Sequence, residues 1–116
     1  MSMAVYGLKP RNEQGKVFKN NIWWWGPLAD YCIQIGGSLA RKCRYWHYNQ
    51  GDGLEDADSR TLAALLRAEL ESGRTAEYAM RYRAEQEALQ EPLPFAVENV
   101  QEFTEFLENC GGFEIQ

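Results

Sequence analysis

The chain has 116 residues, with 12 Lys and Arg against 17 Asp and Glu and 45% hydrophobic residues. This length predicts one domain over residues 1–116 that buries a core without disulfide or metal staples. The net charge of −5 disfavours a protein that coats extended nucleic acid, and no apolar run reaches the roughly 20 residues of a membrane span. The first residues lack the charge and length of a secretory signal, so we expect a cytoplasmic location.

The first half of the chain predicts one strand and one helix. Weak alternation from Met3 to Leu8 predicts the strand. Gly26-Pro27 predicts the helix start, because Pro at the first helical position loses no internal hydrogen bond. Gly36-Gly37 is expected to weaken or divide this helix. Its apolar positions recur at helical spacing: Leu28, Tyr31, Cys32, Ile35 and Leu39.

The second half predicts three more helices and a short strand. Capping side chains at residues 56–59 precede a leucine-rich helix that ends at Ser72-Gly73. The next helix runs from about residue 75 to residue 89, and the last has an apolar face from Val97 to Cys110. Gly111-Gly112 then suits a left-handed C-cap, and residues 113–115 form a strand candidate.

Together these elements predict an α+β fold in which four helices pack with a small sheet. The sheet is expected to include the N- and C-terminal strands, with residues 4–8 and 113–115 as neighbours. Cys32 and Cys110 lie on apolar helical faces, so we expect them to be reduced and buried.

Charge and aromatic residues are divided unevenly along the chain. Residues 1–50 carry seven basic and two acidic residues, a net charge of +5, whereas residues 51–116 carry five and fifteen, a net charge of −10. Nine of the fifteen aromatic residues and the only His also lie in the first half. We therefore expect the first half to bind ligands and the second to act as scaffold.

The chain carries four motifs: Tyr6-Gly-Leu-Lys-Pro10, Phe18-x-Asn-Asn-x-Trp-Trp-Trp-x-Pro-Leu28, Tyr48-Asn-x-Gly-Asp-Gly-Leu54, and Val97-x-Asn-Val-x-x-Phe-x-x-Phe-Leu107 with Gly111-Gly-Phe113. Together these motifs resemble a poorly characterised family of small bacterial and phage proteins. In that family an Arg often precedes the Pro-Leu pair, whereas this chain has Gly26, which argues against an anion-binding role at that position. The resemblance implies no particular activity.

The Trp triplet at residues 23–25 is the first candidate site. Three adjacent side chains cannot all face one way on a strand or a helix, so at least one should lie at the edge of the core or outside it. It would then offer a stacking platform for a ring or a partner side chain. The structural alternative is two core anchors and one Trp that covers a helix end, with their indole N–H groups bonded to carbonyls.

Residues 41–54 form the second candidate region, since charged donors and stacking rings together suit a nucleotide-like ligand. The alternatives are a cationic last turn of a helix over residues 41–48 and a structural loop with a capping Asp over residues 49–54. Three Asp near that loop could also contribute to a loose cation site. The predicted ligand-binding residues are Trp23, Trp24, Trp25, Arg41, Lys42, Arg44, Tyr45, Trp46, His47, Tyr48, Asn49 and Asp52.

Three functional hypotheses follow. The first is a non-catalytic module that captures a small anionic aromatic ligand, which in a phage protein would act as a counter-defence sponge for an immune messenger. The second is a protein-interaction or inhibitor module with Trp anchors and an acidic helical surface.

The third hypothesis, the weakest, is a small hydrolase that works through Asp52 and His47. Cys43 and His47 are also four residues apart, the spacing of a nucleophile and a base on one helical face. The sequence marks no orienting acid or oxyanion hole for either, and we expect no catalytic residues, no cofactor, no metal and no membrane partner. Exposed Trp side chains favour a homo-oligomer.

Overall fold

The computed structural model describes residues 2–116 and confirms the α+β class, with four helices and a sheet that includes both terminal strands. Within these residues, no helix has the length and apolar character needed to cross a lipid bilayer. The strands are β1 (Ser2–Gly7), β2 (Val17–Asn21) and β3 (Phe113–Ile115), and the helices are α1 (Ile22–Gly36), α2 (Asp56–Ser72), α3 (Arg74–Glu87) and α4 (Val97–Asn109).

The sheet is antiparallel, with β1 at its centre and the strand order β2-β1-β3. Val5 pairs with Phe18 on one side and with Ile115 on the other, and all three side chains are buried. The opposite face of the sheet exposes Lys19 and Glu114. One face therefore packs against the helices, and the predicted pairing of the terminal strands is confirmed.

α1 begins earlier in the chain than the sequence predicts. The side-chain Oδ1 of Asn21 accepts hydrogen bonds from the backbone N–H groups of Trp23 (3.0 Å) and Trp24 (3.1 Å). This N-cap starts the helix at the next residue, so the predicted start at Gly26-Pro27 is wrong. Pro27 lies inside the helix, where its missing N–H removes one internal hydrogen bond.

Glycines with positive φ end three of the helices, and Gly73 ends α2 as the sequence predicts. Gly37, with a φ of 57°, follows the last residue of α1 and ends that helix rather than dividing it. Gly111 and Gly112 have φ values of 68° and 94°, which confirms the left-handed turn after α4. A Cβ at Gly111 would lie 2.3 Å from the carbonyl oxygen of Lys9, so a larger residue would also collide with the segment that follows β1.

The core between the sheet and the helices is rich in aromatic rings. The ring of Phe103 on α4 lies 5.0 Å from that of Phe18 and 5.6 Å from that of Trp25, measured between centroids. Cys32 and Cys110 are free thiols and fully buried, as predicted. The aromatic residues of the first half therefore contribute strongly to the core.

Candidate functional site

The three adjacent Trp side chains at the start of α1 have three different environments. Trp25 is only 2% exposed, and its Nε1 donates a hydrogen bond to the backbone carbonyl of Trp46 at 2.6 Å. Trp23 is 60% exposed, and Trp24 is half-buried and lines two surface cavities. Successive residues on a helix are about 100° apart, which is why the three cannot share one face.

Trp46 is the second buried indole among the predicted ligand-binding residues. It is 2% exposed, and its Nε1 donates to the carbonyl of Ala40 at 2.8 Å. Its ring stacks on that of Trp25, with centroids 6.2 Å apart. Trp25 and Trp46 are therefore core anchors, because neither ring presents a surface that a ligand could touch in this fold.

Asp52 fixes the backbone of the segment around Trp46. Its Oδ2 accepts hydrogen bonds from the N–H groups of Arg44 (2.7 Å) and Tyr45 (3.0 Å), and its Oδ1 accepts one from Gly53 (2.9 Å). A carboxylate that accepts three backbone N–H groups is a structural anchor, which agrees with the structural alternative for residues 49–54.

The remaining side chains of residues 41–49 point mainly to solvent. Lys42 pairs with Asp58 at 3.3 Å, and His47 Nε2 lies 2.9 Å from Asp30 Oδ1 on α1. None of these side chains lines either of the two surface cavities that Trp24 lines. Two arginines and two tyrosines of this segment are exposed and form no ion pair within residues 2–116. We call these four residues, Arg41, Arg44, Tyr45 and Tyr48, the basic face.

Trp24 is a wall shared by two neighbouring cavities, which together we call the Trp24 groove. The first, the aromatic cavity, has a volume of about 360 Å³ and lies between α1, α3 and residues 92–96. The second, the polar cavity, has a volume of about 310 Å³ and lies between β2, α1 and α4. Ala96 also lines both cavities. The two cavities therefore adjoin at Trp24 and Ala96 and form one groove near the start of α1.

The wall of the aromatic cavity is a packed set of rings. Tyr82 on α3 stacks on Tyr78 at 5.9 Å and contacts Phe95 at 5.7 Å between centroids. Partial burial raises the pKa of Tyr82, and the nearby charge of Asp30 raises it further, so its hydroxyl stays neutral at physiological pH. The wall is thus apolar with one neutral hydroxyl.

A polar tie holds the loop of residues 92–96 against α3. The side-chain Oε1 of Gln86 accepts a hydrogen bond from the backbone N–H of Leu93 at 2.9 Å. Pro92 and Pro94, on either side of Leu93, limit the backbone freedom of this loop and line the cavity with it. The aromatic cavity is therefore formed by a fixed loop, which lowers the entropic cost of binding.

Paired amides beneath the polar cavity position Trp24. Asn20 on β2 and Asn99 on α4 donate to each other, with N···O distances of 3.1 and 2.9 Å. The next residue, Asn21, caps α1 through Trp24 itself. The Asn20-Asn21 pair thus joins β2 to α4 and starts the helix that carries Trp24.

The Trp24 groove also carries charged side chains that form no ion pair within residues 2–116. Arg83 and Glu87 lie at the aromatic cavity. Lys19, Glu98 and Glu102 lie at the polar cavity, which therefore has an excess of one negative charge.

The thiol that the sequence offered as a nucleophile is buried. Cys43 is 1% exposed, and burial, together with the charge of Asp52, raises its pKa to about 12. A thiol with that pKa is not a thiolate at neutral pH, and the only His contacts Asp30. Both oxygens of Asp52 are occupied by backbone N–H groups. This geometry supports neither catalytic arrangement considered from the sequence.

Sequence reasoning identified Trp24 but missed the residues that face it. These residues, Tyr82, Arg83, Phe95 and Glu98, lie in the acidic half, which we predicted to be scaffold. The sequence offered one local signal for the aromatic cavity. Pro92, Pro94 and Phe95 follow a helix that carries Tyr78 and Tyr82, four residues apart. Such a loop packs rings against the preceding helix, but the sequence does not show that Trp24 faces them.

Comparison with protein-family models, with curated proteins and with solved structures finds no match. The resemblance to a family of small bacterial and phage proteins stays a prediction.

Proposed function

We propose that this protein is a non-catalytic interaction module that holds a segment of a partner protein in the Trp24 groove. The observation that carries the proposal is the position of Trp24 between two cavities on one surface. A compact ligand needs one cavity, whereas an extended peptide places successive side chains in neighbouring ones. Trp is also among the residue types that contribute most binding energy at protein interfaces.

The module is proposed to work in the cytoplasm, as the sequence predicts. Three free cysteines support this location, because disulfides form and persist in oxidising compartments. Self-association also stays a prediction. It is supported by exposed rings such as Trp23 and Tyr48, which are 60% and 57% exposed.

Selection from a random peptide library displayed on phage tests the proposal. We expect peptides selected on the wild-type protein to lose roughly tenfold or more of their affinity for Trp24→Ala. Trp23→Ala is the matched control, because it removes the same side chain one residue away, outside both cavities. Urea unfolding of both variants verifies that they are folded. Peptides that bind wild type and Trp24→Ala equally, or no enrichment at all, would rule the proposal out.

The basic face supports a second candidate function, capture of an anionic planar ligand such as a nucleotide. Arg44 lies 5.9 Å above the ring of Tyr45, and the Tyr45 and Tyr48 rings are 6.2 Å apart. The Asp52 anchor holds the backbone from which Arg44 and Tyr45 project, so binding would order little backbone. Stacking together with a guanidinium suits a base joined to a phosphate. In a phage protein, such capture could remove an immune messenger.

NMR titration with AMP and with cyclic mono- and dinucleotides distinguishes nucleotide binding at the basic face from nucleotide binding in the Trp24 groove. If the basic face captures nucleotides, we expect chemical-shift changes at the backbone amides of Arg44, Tyr45 and Tyr48. These changes should disappear in Arg44→Ala, and the nucleotide should be recovered unchanged. Shifts centred on Trp24 and Tyr82 would place the nucleotide in the groove instead. No shift at millimolar nucleotide would dismiss this second function, and a chemically altered nucleotide would contradict the absence of catalysis.

A further inference from the structure

The two cavities of the Trp24 groove differ in chemistry, and this difference specifies the partner segment. The aromatic cavity is lined by rings and prolines, including Tyr82, Phe95 and Pro94. Its two charged side chains, Arg83 and Glu87, cancel in net charge. A cavity of this kind fits an apolar or prolyl side chain, which stacks on aromatic rings and needs no hydrogen bond from them.

The polar cavity selects for positive charge. Glu98 and Glu102 are exposed, lie one turn apart on α4 and form no ion pair within residues 2–116. Residues four apart on a helix are neighbours on its surface, so one cation can contact both carboxylates. Lys19 on β2 also lines this cavity, and its positive charge offsets the negative charge of only one of the two carboxylates.

Trp24 places these two features next to each other along the partner segment. Trp24 and Ala96 line both cavities, so a chain that passes these residues leaves the aromatic cavity and enters the polar one. We infer that the groove binds an extended segment of a partner protein in which an apolar or prolyl residue is followed or preceded, within a few residues, by Lys or Arg. This inference rests on the proposed function and adds the chemistry of the partner.

The inference is tested with four synthetic nonapeptides carrying a fluorescent label, measured by fluorescence polarisation at low salt. The first joins a Pro-Leu-rich half to a half with two Lys. The second replaces the two Lys with Glu, the third replaces the Pro-Leu half with Gly and Ser, and the fourth scrambles the first. We expect the first to bind tightest and to weaken as salt is raised.

Two double variants identify the carboxylates. E98Q/E102Q should weaken the first peptide about fivefold, which corresponds to two partly exposed charge pairs. It should not weaken the second peptide, which carries Glu in place of Lys and has no cation for these carboxylates to contact. E71Q/E114Q removes the same charge from exposed residues outside the groove and should have no effect.

The outcomes distinguish this inference from the proposed function. Equal binding of the Lys and Glu peptides, equal loss in both double variants, or no binding of the Lys peptide at millimolar concentration overturns the inference. Library peptides that still require Trp24 would leave the interaction module standing. If sedimentation velocity shows that wild type self-associates and Trp24→Ala does not, a second copy of this chain occupies the groove, and the inference is also overturned.

Discussion

The basic face and the Trp24 groove both combine aromatic rings with unpaired charges, but the two surfaces are built differently. The basic face projects from a loop whose backbone is held by Asp52 and by the buried ring of Trp46, and its own side chains lie in solvent. The groove is concave, and its rings pack against one another on α3 and residues 92–96. A sequence pattern of charge and rings therefore identifies binding chemistry, while concavity depends on packing between distant segments.

The largest effect on stability is expected at Trp46, where the segment that carries the basic face packs into the core. Trp46→Ala removes a side chain that is 2% exposed, together with its hydrogen bond to Ala40. We expect the free energy of unfolding to fall by about 3–5 kcal/mol, as for other buried aromatic residues replaced by Ala. Urea denaturation measures this loss. A loss below about 1 kcal/mol would show that Trp46 does not anchor the segment.

Asp52→Ala is expected to loosen the basic face while leaving the groove intact. It leaves three backbone N–H groups without their acceptor, so we expect a loss of about 2 kcal/mol. Hydrogen exchange should accelerate at the Arg44 and Tyr45 amides but not around Tyr82. Asp58→Ala is the control, because its carboxylate meets the exposed Lys42 in a surface pair of little energetic weight. Unchanged exchange at both amides would contradict the anchor role.

Alkaline pH tests the burial of the thiol beneath the basic face. The pKa of Cys43 is raised to about 12, whereas an exposed thiol ionises near 8.5. The neutral thiol therefore stabilises the fold fully below pH 8.5, and that contribution is lost as the pH rises towards 12. The loss is about 1.4 kcal/mol per pH unit for this thiol, because only the unfolded chain has released its proton. From pH 9 to 10.5, the unfolding free energy of Cys43→Ala should decline less steeply than that of wild type. Equal slopes for the two proteins would show that the thiol of Cys43 is exposed.

The smallest stability effects are expected at the exposed rings. Tyr48→Ala and Trp23→Ala remove side chains that are 57% and 60% exposed, so we expect changes within about 0.5 kcal/mol of wild type. Thermal and urea unfolding of the two variants provide the measurement. Substantial destabilisation of either would mean that the ring packs against the protein and is not displayed for a partner.

The fold was largely predictable because its signals are local. The apolar face from Val97 to Cys110 and the Gly111-Gly112 turn define α4 without any knowledge of its neighbours. The start of α1 was missed because Pro27 suits a first helical position, while the Asn21 side chain, which caps the helix, lies several residues upstream. β2 was missed because its five residues show no clear alternation.

The site was less predictable, because its residues are far apart in the chain. Trp24 and Phe95 line one cavity only after α1, α3 and the loop of residues 92–96 have packed, and no spacing in the sequence indicates that they share it. The buried state of Trp25 and Trp46 was equally hidden, since both occur in the aromatic, basic half from which ligand contacts were expected. Aromatic content alone does not separate rings that form a core from rings that bind a partner.

The central position of β1 has a consequence for how the chain reaches this structure. Val5 must pair with Phe18, close in sequence, and with Ile115, almost a full chain length away. The hairpin of β1 and β2 can form as soon as both strands exist, whereas the third strand closes the sheet only after every helix has been made. During synthesis on the ribosome, β1 would therefore leave the exit tunnel with one hydrogen-bonding edge open until β3 emerges.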